Sequence, residues 1–318
     1  MQQKISRRQC LKMLGKTGAL LPVADLCPLF KKYSPPTAFR REIHIFSKHL
    51  QWLDYGEMAK TAASIGFDGV DLTVRPKGHV LPENVETDLP KAVEAIRKAG
   101  LKAELITTGI TSAQAPHTEA ILKTASALGI KTYRLGWLEY EDEKPIPEQL
   151  EAFKKQLAEL AEMNQHYGLH GAYQNHAGTG VGAALWDTWQ MIHEFDPRYL
   201  GARFDVRHAM VEGMHTWELG LKLLASHIRS LDVKDFVWAE TDGKWSVENV
   251  PIGQGAVDFG RYVALLDELQ LDGPMTLHLE YPLGGANNGA SQISVPPEQV
   301  IKAMQEDLIA LRAFDSAK

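Results

Sequence analysis

Cysteine is nearly absent from this chain of 318 residues: Cys10 and Cys27 are the two it has, and both fall near the N-terminus. The body of the chain therefore has no disulfide framework, no thiolate nucleophile and no cysteine metal site. Long apolar runs are also missing, which argues against a membrane-spanning helix and an integral membrane domain. Charge of one sign is not in excess. The formal net charge is −6 without long runs, which argues against nucleic acid as the main partner. No G-x-G-x-x-G follows the first apolar strand, which weakens a dinucleotide-binding open sheet. What is present is ordinary globular material, 44% hydrophobic and 23% charged, enough for a large core.

The first forty residues read differently from the rest. Ser6-Arg7-Arg8-Gln9-Cys10-Leu11-Lys12 precedes a moderately apolar stretch from Met13 to Ala24, the pattern of a twin-arginine export signal. Lys16 and Asp25 interrupt the apolar character, and no clean small-x-small cleavage site follows. The stretch from Cys27 to Arg40, with Lys31, Lys32, Pro35 and Pro36, reads as a tether. The expectation is an exported, periplasmic protein with a leader and tether over 1–40, and a cytoplasmic one if the leader does not function.

From residue 41 two patterns alternate. Strand-length apolar runs recur at 43–47, 69–74, 103–107, 132–137, 169–174, 200–205, 228–233 and 275–280. Segments with helical periodicity separate them at 55–65, 89–99, 118–128, 147–167, 186–195, 217–225 and 259–269, and a last one covers 297–314. Gly66, Gly100 and Gly129 stand where a left-handed cap would turn a helix into the next strand. Eight strand–helix pairs in about 275 residues predict a (β/α)8 TIM barrel, a single domain over 41–318.

In such a barrel the chemistry lies where the strands end. The second strand offers Asp71, Thr73 and Arg75 on one side, with Lys77 and His79 beyond. The fourth leads to Trp137 and Glu139, the fifth to Gln174 and His176, the sixth to Arg203, Asp205, Arg207 and His208. The seventh places Asp232 and Lys234 on a common face, and the eighth ends on His278 and Glu280, two apart and thus on one side. Single charges at strand ends often just pair across a rim. Polar endings on four successive strands point to a site.

These residues carry a resemblance to the xylose-isomerase-like barrels, a family of sugar isomerases and epimerases. The resemblance runs from about residue 41 to the end. Its carriers are Asn175-His176, the Asp205-x-x-His208 spacing, Val233-Lys234-Asp235, Pro251-Ile252-Gly253-Gln254-Gly255 and Glu280. It implies a divalent metal held by Gln174, Asp205, Asp232 and Glu280, with His208 as a substrate ligand. Two positions depart from the family's pattern: Gln174 stands for a glutamate and Asp232 for a histidine. Gln174 keeps an oxygen ligand but cannot act as a base. Asp232 hardens the ligand set toward Mn, Mg or Ca rather than Zn. With one glutamate lost, His176, His278 and Lys234 become candidates for the proton-transfer role beside Glu280, while His278 can equally serve to orient Glu280.

The expected chemistry is proton abstraction next to a carbonyl of a sugar or keto-sugar, with the enediolate stabilised by a metal. Arg75 and Arg207 are candidates for binding hydroxyls or an acid group. Trp137, Trp186, Trp238 and Tyr281 are candidates for stacking on a sugar ring. A keto-glycoside or inositol-type lyase or hydratase would use the same residues. A sugar-binding protein whose site has decayed at Gln174 and Asp232 is the alternative from another class. An endonuclease-IV-like repair enzyme shares the barrel but would need more metal ligands and a basic face. The partner expected throughout is a small-molecule carbohydrate, and barrels of this type also form homo-oligomers.

Overall fold

The structure, a computed structural model, describes residues 41–316. The leader and tether assigned to 1–40 lie outside the described residues.

Eight parallel strands close into a barrel. In chain order they are β1 (Ile43–Phe46), β2 (Gly69–Val74), β3 (Lys102–Thr108), β4 (Thr132–Arg134), β5 (His170–Gln174), β6 (Leu200–Asp205), β7 (Ile228–Val233) and, after an inserted hairpin, β10 (Met275–Leu277), which pairs with both β7 and β1. The predicted TIM barrel is the observed fold. Helices α1 (Tyr55–Ile65), α2 (Val85–Lys98), α3 (Thr118–Ala127), α4 (Ile146–Tyr167) and α5 (Leu185–Ile192) follow the first five strands, each in its place. Asp54 opens α1 by accepting a hydrogen bond from the Glu57 amide at 2.9 Å, and Gly66, at φ 103°, closes it in the left-handed conformation the sequence pattern predicts.

Three features differ from the sequence reading. A short helix α6 (Val206–Gly213) starts directly at the end of β6, ahead of α7 (Trp217–Leu224). Its cap is Asp205, whose side chain accepts from the His208 amide at 3.1 Å. The Asp-x-x-His spacing is therefore a helix start as well as a site motif. An antiparallel hairpin, β8 (Asp235–Thr241) and β9 (Lys244–Val250), interrupts the route from β7 to α8 (Phe259–Glu268). Its two-residue turn is Asp242-Gly243, both at positive φ (54° and 73°), the conformation such turns need. Finally, β4 and β10 stop at Arg134 and Leu277, short of the predicted 137 and 280. The chain stays extended there, with the Leu135 amide donating to the Ala172 carbonyl and the His278 amide to the Val233 carbonyl, before the loops diverge.

Apolar residues facing outward from the strands and inward from the helices, such as Val70, Leu72, Ile106, Leu160 and Leu266, form the main core. The interior of the barrel is instead partly ionic at its upper layers. That positions the site.

Candidate active site

The framework begins with Arg203, almost wholly buried inside the barrel. From β6 it reaches across to β2, where its Nη2 lies 2.6 Å from Asp71 Oδ2. Its Nε donates to Asp232 Oδ1 on β7 at 2.7 Å. Thr107 on β3 donates to Asp71 at 3.0 Å. Burial works to raise the Asp232 carboxyl, but Arg203 and His278 outweigh it and hold Asp232 below the usual carboxylate range.

Above this layer sits Lys234, 3% exposed, with Nζ 3.2 Å from Asp205 Oδ2 and 3.0 Å from Glu280 Oε2. Lys48, from the turn after β1, contacts the other oxygen of Glu280 at 2.6 Å. Burial works against the Lys234 ammonium, yet Asp205 and Glu280 more than compensate, so its pKa moves up. Burial likewise works to raise Glu280, but Lys234, His278 and Lys48 together keep it well below its ordinary value. Glu280 is thus a carboxylate clasped by two ammonium groups. Asn175 fixes the neighbouring strand: its Oδ1 accepts from the Asp205 amide at 2.8 Å, and its Nδ2 donates to the Asp205 carbonyl at 2.9 Å.

Hydrogen-bond partners assign the histidine tautomers. His278 Nε2 lies 3.1 Å from Asp232 Oδ1, and a carboxylate only accepts, so Nε2 carries the proton. Its Nδ1 is left 3.6 Å from Glu280 Oε1, and the ring stacks on Phe46 at 4.5 Å. His176 Nδ1 faces the Ala177 carbonyl at 2.9 Å, which leaves Nε2 as the unprotonated nitrogen. Burial, then Lys234, pushes the His176 pKa down, so the ring is a neutral base near pH 7. His208 Nδ1 accepts from Arg207 Nη1 at 3.0 Å, and burial drives its pKa well below 6.5.

A cavity opens over this group, walled by Phe46, Lys48, Arg75, Arg134, Trp137, Gln174, His176, Lys234, His278 and Glu280. All four proposed catalytic residues therefore meet, joined by Arg75, Trp137 and Gln174. His208 lies behind His176, its ring centroid 4.0 Å away. Arg207 sits over Phe236 and does not wall the cavity. Trp238 is on the exposed hairpin, and Trp186 lines a separate groove near α6. Tyr281 points to α9 (Pro297–Asp315), where its hydroxyl donates to Asp307 at 2.9 Å. His79 bonds Ser47 and Thr73 around the β2 turn. Sequence reading missed Phe46, Lys48 and Arg134 and did not single out Arg203. Alternation would have found two of them, since Arg134 shares a face with Thr132, and Arg203 with Asp205.

The four residues assigned to a divalent metal do converge, but the donor set in this arrangement does not fit one. Gln174 turns its amide hydrogens to Asp205 at 3.1 Å and Asp232 at 2.6 Å, while its oxygen accepts from Arg134 at 3.2 Å. Carboxylates can only accept, so this orientation follows from the network. Asp232 is engaged by Arg203 and His278, and Lys234 stands between Asp205 and Glu280. A hard cation needs several oxygen lone pairs aimed at one point. Among the described residues no group of three or more acidic, histidine or cysteine side chains is so disposed.

The Pro251–Gly255 turn has a structural role close by. Asp235 accepts from the amides of Gly253, Gly255 and Val257 at 3.0, 2.8 and 3.1 Å. A Cβ on Gly255 would lie 2.2 Å from the Asp235 carboxylate and 2.3 Å from the Phe236 carbonyl, so no larger residue fits without a shift.

A closed (β/α)8 barrel with an ionic, histidine-rich mouth at the strand C-termini defines the class. The chain belongs to the xylose isomerase-like TIM barrel family, matched over residues 59–309. No match was found among curated protein sequences. Similar solved structures include a D-psicose 3-epimerase from Clostridium cellulolyticum H10 with D-tagatose (TM-score 0.63, 13% identity, 85% of this chain and 98% of that one). A 3-keto-D-glucoside 4-epimerase from E. coli is similar at TM-score 0.63 and 14% identity, over 86% of this chain and 99% of that one. A probable 3-DHS dehydratase from Bacillus anthracis is similar at TM-score 0.62 and 14% identity, over 84% and 98%. At such identities the likeness is one of fold.

Proposed function

We propose that this chain is an isomerase- or epimerase-type enzyme that moves a proton on the carbon next to a carbonyl of a sugar or keto-sugar. The observation that carries this reading is Glu280, an ionised carboxylate between Lys234 at 3.0 Å and Lys48 at 2.6 Å on a cavity that His176 shares. Glu280 takes the proton from the α-carbon, and the electron pair moves onto the carbonyl oxygen to give an enediolate. The two ammonium groups then serve that oxyanion. As they turn to it, Glu280 is released from the charges that depress its basicity, so base strength and oxyanion stabilisation rise together. His278, fixed through Nε2 by Asp232, presents Nδ1 toward Glu280 and can share the abstracted proton. His176 lies just beyond β5, which β6 and β7 separate from β10 in the barrel order, and supplies a second base for return of the proton to another face or carbon.

The family resemblance supports a divalent cofactor, Mn or Mg by ligand chemistry. The arrangement of Lys234 does not accommodate one, and no step here is routed through it. A lyase or hydratase is the second reading, favoured by the same two ammonium groups, which can protonate a leaving oxygen once the enediolate has formed. Among the described residues no helix is long and apolar enough to cross a membrane. Export through residues 1–40 is a separate proposal that rests on Arg7-Arg8 and the moderately apolar stretch from Met13 to Ala24 that follows them.

Exchange of substrate α-protons with solvent deuterium tests the reading. The wild type is expected to wash deuterium into a keto-sugar, and Glu280→Gln to lose this by about 100-fold or more. Binding of keto-sugars without any exchange would identify a decayed site instead.

A further inference from the structure

The proposed reaction leaves two guanidinium groups unexplained. The guanidinium of Arg75, just beyond β2, makes no hydrogen bond or ion pair among the described residues; it lies over the Phe46 ring, 5.6 Å from its centroid. Arg134, buried at the end of β4, reaches only neutral acceptors, Gln174 Oε1 at 3.2 Å and the Thr108 carbonyl at 3.4 Å, and lies 4.4 Å from the Trp137 ring centroid. Both wall the cavity, where the ionised groups are four cations, Lys48, Arg75, Arg134 and Lys234, against one acid, Glu280. Burial pushes Arg134 down to about 9, with Arg75 and Arg203 adding to the shift and the buried Asp232 and Asp71 opposing it only in part. Two like charges partly withdrawn from water beside each other are costly unless an anion joins them.

We propose that the substrate carries a carboxylate, making it a sugar acid or keto-sugar acid, seated on Arg75 and Arg134 while Glu280 works at its α-carbon. The inference rests on the proton-transfer reading above and specifies its substrate class. A planar carboxylate matches the guanidinium fork, and each of these forks is backed by an aromatic ring, Phe46 for Arg75 and Trp137 for Arg134. A phosphate would draw on backbone amides at a helix start. The helix that starts at this mouth, α6, is already capped by the Asp205 carboxylate.

The test is calorimetric binding to the full chain of D-glucuronate, D-galacturonate and 2-keto-D-gluconate beside D-glucose, D-galactose and D-fructose, with D-glucose 6-phosphate as the phosphate arm. At least one acid is expected to bind about tenfold or more tighter than its neutral counterpart, the scale of a charge-assisted hydrogen bond. Arg75→Gln is expected to abolish that preference and Arg75→Lys to retain part of it, both melting cooperatively like the wild type. Three outcomes overturn the proposal: acids bind no better than neutral sugars, Arg75→Gln leaves the preference intact, or the phosphate binds more tightly than every acid. Acid preference without α-proton exchange sinks the proton-transfer reading and leaves the anion seat standing. Exchange on neutral keto-sugars without acid preference does the reverse.

Discussion

Lys234→Met removes one charge from the centre of the site and keeps most of the side-chain volume. In the wild type the ammonium is 3% exposed and touches Asp205 and Glu280 at 3.2 and 3.0 Å. Without it Asp205 keeps the Gln174 amide and the His208 backbone N–H, and Glu280 keeps Lys48. Removal of one partner from a buried ion pair costs about 3–5 kcal/mol. For a barrel of this size each kcal/mol corresponds to roughly 2 °C, so the melting temperature should fall by about 6–10 °C. The deficit depends on pH in a defined way. The Glu280 pKa is lowered on folding, so its share of the stabilisation is present above 4.5 and is lost as pH falls through its depressed folded value. The Lys234 pKa is raised, so its share is present below 10.5 and is lost as pH rises through its elevated folded value. The gap between variant and wild type is therefore widest between these limits and closes on either side. Loss of the ammonium should also slow α-proton exchange by about 100-fold or more. Because Lys234 fills the space between the two carboxylates, millimolar Mn2+ is expected to raise the melting temperature of Lys234→Met and leave the wild type unchanged. Scanning calorimetry across pH, with and without Mn2+, is the assay. A variant within 1 kcal/mol of the wild type at pH 7, or a wild type that gains as much from Mn2+ as the variant, would refute the argument.

Away from the site, burial pushes Asp307 up to about 7, although Tyr281 and the Ile252 amide donate to it. A carboxyl whose folded pKa is raised adds stability that is fully present below 3.8 and is lost as pH rises from there to about 7. Asp307→Asn can accept from Ile252 and donate to the Tyr281 hydroxyl, so it should stabilise the fold at pH 8 by at most ~4 kcal/mol. At pH 3, below both values, it should make little difference in a denaturant titration. For the N-terminal segment, residues 1–40 fused to a folded reporter should reach the periplasm, and Arg7→Lys with Arg8→Lys should block this, as read by cell fractionation.

The barrel was legible because its signals are local. Strand-length apolar runs, helical periodicity and the caps at Gly66, Gly100 and Gly129 each lie within a few residues, and their eightfold recurrence leaves few alternatives. The hairpin was overlooked although Asp242-Gly243 announces its turn, because the exposed alternation around Trp238 and Trp245 gives no apolar run. Helix α6 was overlooked because Asp205 read as a ligand rather than a cap.

The sequence by itself determined the eightfold alternation of strand and helix and the strand ends that carry polar residues, Gln174, Asp205, Asp232, Lys234 and Glu280 among them. It could not determine how these charges are shared. Which cation answers which carboxylate depends on distances between residues up to 232 positions apart, such as Lys48 and Glu280, or on a reach across the barrel such as Arg203 to Asp71. Ion pairing in a buried site falls off over a few ångströms and competes with desolvation, so it is decided only when the closed barrel brings all partners to one mouth. That closure put Lys234 between two carboxylates where a metal had been expected, and left Arg75 and Arg134 on the cavity wall with no carboxylate in hydrogen-bond reach of either guanidinium.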